Sequence, residues 1–143
     1  MEVDGAPLLV EVQVRRYRCT ACGATQTVVP AEVLTRRLYS ASALVWALAL
    51  WGIDALTAAA VRARVSPWRV VGAASATRWD ALRRWARSAK RGALLECVRA
   101  VPATWTLRQA AARTAATVAS FALPTTEPPS LAALAFRGAE RAR

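Results

Sequence analysis

The sequence predicts a mainly α fold, a helical domain containing a helix-turn-helix, with a small N-terminal β-hairpin. Three observations lead there. Leu8–Arg18, LLVEVQVRRYR, sets Val10, Val12 and Val14 on one side and Glu11, Gln13 and Arg15 on the other, the period of a half-buried strand. A second short run, TQTVV, ends at Pro30 and reads as the returning strand. From Tyr39 onward apolar residues recur at helical spacing, broken by Ser, Thr, Gly and Pro where helices start and stop. The chain accordingly divides into a hairpin over 1–34, a helical domain over 35–123, and a Pro-rich linker with a short last helix over 124–143.

The helices follow in order. YSASALVWALALWGI, Tyr39–Ile53, is apolar on nearly every face, with Ser40 or Ser42 as N-cap. After Gly52, Asp54 is placed to cap a short helix, ALTAAAVRAR. Ser66 then caps a third helix with Pro67 at its first position, where the missing N–H costs nothing. Thr77 and Asp80 resemble a capping box opening RWDALRRWARSAK, which Gly92 stops. Leu94–Val101 is expected to add a further helical turn or two before Pro102. Thr106 and Gln109 form a second box, opening LRQAAARTAATVASFAL, and Ser130 caps a last short helix, Leu131 to about Ala139, whose tail RGAERAR is expected to fray.

Between the two strands lies CTACG, a C-x-x-C-G turn. Thiolates two residues apart can share one metal ion, and Gly23 suits the left-handed turn such a knuckle needs. A redox dithiol has the same spacing but opens a helix, whereas GATQTVV reads as strand. Plain turn cysteines are the remaining alternative. The hairpin is therefore read as an incomplete zinc ribbon: Cys19 and Cys22 are candidate metal ligands, and zinc is a candidate cofactor whose site this chain leaves half made. The chain has no histidine, and Cys97 reads as a small buried hydrophobe. Val10, Val12, Val14 and Tyr17 are expected to pack the hairpin against the helices.

Hydrophobic residues make up 55% of the 143 residues, which excludes global disorder. The net charge of +11 points to an anionic partner, nucleic acid before anionic membrane. Lys90 is the one lysine, and the Arg- and Ala-rich composition is also what GC-rich coding DNA produces. Three cysteines are no disulfide framework, and the acidic N-terminus lacks the order of a signal peptide, so a cytoplasmic protein is expected.

Three short helices joined by tight turns have helix-turn-helix spacing, which makes Ser66, Trp68 and Arg69 candidate DNA contacts at the N-terminus of a groove-entering helix. An inward-packed Trp68 is the plainer reading. On the next helix Trp79, Leu82, Trp85, Ala86 and Ala89 share one side, read as core rather than base-stacking surface. Arg83, Arg87 and Lys90 run along another side, with Arg84 and Arg91 beside them, a row able to follow a phosphate backbone or simply to face solvent.

The uncharged run Leu38–Ile53 spans sixteen residues, short of the roughly 20 a bilayer crossing needs, and a buried central helix accounts for it. Nine carboxylates are scattered, and neither a histidine base nor a glycine-rich phosphate loop exists, so no enzyme and no small-molecule substrate are expected.

VEVQVRRYRCTACGATQTVVP, followed by a linker and a helix-turn-helix, resembles the zinc-ribbon leader of insertion-sequence transposases over roughly Val10–Arg91. The RRYRC block is the most specific part. The resemblance implies that Cys19 and Cys22 match the second of two ligand pairs, the first falling before Met1 as in a truncated family member. It implies a transposase-like DNA-binding protein without the acidic catalytic domain. Double-stranded DNA is then the expected partner. The alternative is a helical protein–protein interaction module, used as a homodimer, without nucleic acid; a membrane-associated protein comes third.

Overall fold

The computed structural model describes residues 11–28, 39–68, 79–124 and 129–142. These contain a two-stranded antiparallel hairpin and five helices. The strands are β1 (Arg15–Arg18) and β2 (Thr25–Val28), with Arg15 opposite Val28 and Tyr17 opposite Gln26. The helices are α1 (Ala41–Gly52), α2 (Ala58–Val65), α3 (Asp80–Lys90), α4 (Leu107–Ala119) and α5 (Leu131–Gly138).

α1 is the centre. Leu44, Val45, Ala47, Leu48 and Ala49 are all fully buried, because α2, α3, α4 and α5 each pack against this one helix. A helix apolar on every face is stable in water only when enclosed in this way. No helix among the described residues is long and apolar enough to cross a membrane. Leu82 of α3, Val61 of α2 and Val118 of α4 close the same core, and truncating any of them to alanine should cost about 2–4 kcal/mol.

Two glycines let helix backbones touch. A Cβ on Gly52 would lie 2.5 Å from the Ala112 nitrogen of α4, and one on Gly138 would run into the Val118 carbonyl. Alanine covers much of the remaining contact: Ala111, Ala115 and Ala119 of α4 and Ala132 and Ala135 of α5 are buried. The alanine-rich composition thus has a structural use, since small side chains permit this close approach.

Ser40, Thr106 and Ser130 cap α1, α4 and α5 by accepting from the amides of Ala43, Gln109 and Ala133. Thr106 and Gln109 make the full reciprocal box, the Gln109 side chain accepting from the Thr106 amide at 2.8 Å. α3 stops where expected, with Gly92 at φ 68° just beyond its end.

Several expectations are corrected. α2 is capped by Thr57, whose hydroxyl accepts from the Ala60 amide, and Asp54 stands outside the helix. Thr57, Thr106 and Ser130 each immediately precede a helix whose first amides need acceptors, and the hydroxyl in that register makes the cap. Asp80 is the first residue of α3, not the fourth of a capping box: Trp79 precedes it at φ 36° with no side-chain cap, and Thr77 lies outside the described residues. Leu94–Val101 forms turns instead of helix, although Leu94, Leu95 and Val98 are buried at a spacing a helix would share. The expected frayed tail is tied in: Ala139 and Ala142 are buried, and the Cys97 thiol faces the Ala142 carbonyl at 3.6 Å.

The hairpin departs most from expectation. Val12, Val14 and Tyr17 are 38%, 48% and 53% exposed, so the helices do not cover them. Among the described residues ladder pairing begins at Arg15, and none of those in the hairpin enters the core cluster. Val10 lies outside the described residues.

Candidate functional site

α3 owes its orientation to an aromatic cluster. Tyr39 meets Trp85 edge-on at 4.9 Å between ring centres, Trp79 meets Trp85 at 5.2 Å, and Tyr39 meets Trp79 at 6.0 Å. Such edge-to-face pairs add about 0.5–1.5 kcal/mol each beyond their burial. They hold Trp79 in a left-handed conformation that a bulky side chain rarely adopts. Trp79, Leu82, Trp85, Ala86 and Ala89 all face the core, as their spacing predicts.

With that side fixed, the opposite side shows Arg83, Arg84 and Arg87 to solvent, and Arg91 follows, exposed, at the C-cap. Asp80 is the sole carboxylate of the helix and sits in its first turn, where it complements the dipole. Arg87 and Lys90 complement the other end. The result is a guanidinium row beside one distant acid.

Lys90 does not share that exposure. Its ammonium donates to the carbonyls of Ala103 at 2.7 Å and Trp105 at 2.5 Å, and its own carbonyl accepts from the Val101 amide at 3.0 Å. It is a tether for the 102–105 turn. Heptad-like spacing placed it in the row; only the returning loop, which carries no periodic signal, explains its engagement.

The expected groove-entering segment is only partly within the described residues. Ser66 is the C-cap of α2, not the N-cap of a following helix, and Pro67 and Trp68 are not helical. Ser66 is buried, its hydroxyl accepting from the Tyr39 phenol at 3.2 Å. Trp68 is half-buried, and its carbonyl accepts from Arg62. Arg69 and the helix expected around it lie outside the described residues.

The hairpin contributes further cations that helical spacing does not reveal. Arg15, Arg16 and Arg18 are all exposed, because a ribbon of two strands has no side turned inward. The signal was present: RRYR places charge at consecutive positions, which a strand with one buried face could not accommodate.

At the hairpin tip the knuckle is well formed. The Cys19 amide donates to the Ala24 carbonyl at 2.7 Å, the Gly23 amide donates to the Cys19 carbonyl at 3.0 Å, and Gly23 takes φ 71°. Both thiols are exposed. Amides of Cys22 and Ala21, with the Cys22 side chain, hydrogen-bond to the Cys19 sulfur and pull its pKa below that of an ordinary thiol. Cys97 is shifted the other way by burial. The turn thus favours a metal-binding thiolate at Cys19, yet two thiols fill only half a tetrahedron. Among the described residues no group of three or more histidine, cysteine or acidic side chains comes together to hold a metal. The described residues do not complete a zinc site within one chain.

No protein-family model, curated protein or solved structure matches this chain.

Proposed function

We propose that the chain is a non-catalytic DNA-binding protein of the transposase-leader type, binding duplex DNA chiefly through its phosphates. The exposed row Arg83, Arg84, Arg87 and Arg91 carries the reading. Guanidiniums on one rigid helix can follow a strand of phosphates and release its counterions, with no base contacts required. Arg15, Arg16 and Arg18 add a second cationic surface on the hairpin. Major-groove contacts by Trp68 and Arg69 belong to the same proposal, whereas buried Ser66 is left out of it.

Fluorescence anisotropy on two labelled duplexes of unrelated sequence tests this at low salt. Similar, weak affinities for both are expected. An absence of binding to either would favour the helical interaction module, a reading to which the exposed Val14, Tyr17 and Val28 lend support.

A further inference from the structure

We propose that the Cys19–Cys22 knuckle is half of a metal centre shared between two copies of this chain, each supplying two thiolates to one zinc-class divalent ion. The turn is already in its binding shape: two backbone hydrogen bonds close it, and Gly23 holds the left-handed corner. Both cysteines stand exposed at the tip of a ribbon, where a second body can approach. Within one chain the described residues bring no third ligand to them.

The hairpin itself is also incomplete. Two strands alone are marginally stable in water, and Val12, Val14, Tyr17 and Val28 are each more than a third exposed. Tip-to-tip pairing about a two-fold axis would supply the two missing ligands and a neighbour for Tyr17, which lies two residues from Cys19, while Val28 sits at the open end of the ladder opposite Arg15. A second copy is the partner that carries matching thiols in the matching turn, and an isologous contact needs only one surface.

Charge agrees with this occupant. Two arginine-rich tips would repel, but a divalent ion held by four thiolates keeps a double negative charge. Arg18 precedes the knuckle, and its guanidinium lies 3.8 Å from where a Gly23 Cβ would stand, so each tip places a cation beside the proposed centre.

The test uses the full chain, reduced and metal-free, titrated with Zn²⁺ and with Co²⁺ as a spectroscopic probe. The expected result is saturation at half an equivalent per chain, a tetrahedral thiolate–cobalt spectrum, and a doubling of mass in sedimentation that a chelator reverses. Affinity should rise with protein concentration. Cys19→Ser and Cys22→Ser should each abolish metal uptake and dimer formation with the helical circular dichroism retained, while Cys97→Ser changes neither. A full equivalent bound by a monomer overturns the proposal. So do half an equivalent without mass doubling, a dimer that persists in chelator, and no Co²⁺ uptake by the reduced chain.

Discussion

Arg108 donates to the Trp51 carbonyl at 3.0 Å while its guanidinium carbon lies 5.2 Å from the centre of the Trp51 ring. A second nitrogen reaches the Leu56 carbonyl at 3.2 Å. One side chain from the first turn of α4 therefore closes the end of α1 and the turn into α2. Arg108→Ala should lower stability by about 1–3 kcal/mol, since two part-buried carbonyls lose their donor. Arg108→Lys should recover only part of this, because an ammonium lacks the flat fork that spans both carbonyls. Urea unfolding followed by circular dichroism measures both.

The caps give a paired prediction. Thr57→Ala should cost about 1 kcal/mol, whereas Asp54→Ala should change stability by less than about 0.5 kcal/mol. Equal losses would restore Asp54 as the cap of α2.

Gly138→Ala tests the close contact of α5 with α4. In an open helix the change would stabilise by about 1 kcal/mol. Here the new methyl meets the Val118 carbonyl, and a net loss on the order of 1–3 kcal/mol is expected in thermal or urea unfolding.

The cysteines should separate by alkylation. The Cys19 pKa is lowered by its amide hydrogen bonds, so its thiolate is present at lower pH; the Cys97 pKa is raised by burial, so its thiolate appears only at higher pH. Peptide mapping after brief iodoacetamide treatment of the metal-free chain should find Cys19 modified well before Cys97 at neutral pH. Simultaneous labelling would contradict both environments.

The helical core was legible because its signals are local and redundant. α1 announced itself by an uncharged run, and α3 by tryptophans at helical spacing with arginines opposite. What escaped depends on chain segments meeting at a distance. Ser66 reads as a helix start until Tyr39 takes its hydroxyl, and Lys90 reads as a surface cation until Ala103 and Trp105 arrive beside it. Strand alternation promised a covered side for Val12 and Val14 without naming the cover, and the helices do not supply it. Thr57 was overlooked because Asp54, also a good cap, comes first in the chain.

The central claim, phosphate binding by α3, is tested most directly by the salt dependence of duplex binding. The parent chain is compared with a variant carrying Arg83→Gln, Arg84→Gln, Arg87→Gln and Arg91→Gln. Each lost phosphate contact lowers the slope of log K against log salt by about 0.9, so the variant should bind more weakly and lose up to about 3–4 units of slope. Lys90→Gln alone should leave the slope unchanged, its ammonium being held by the 102–105 turn. A quadruple variant with the parent's slope would contradict the account.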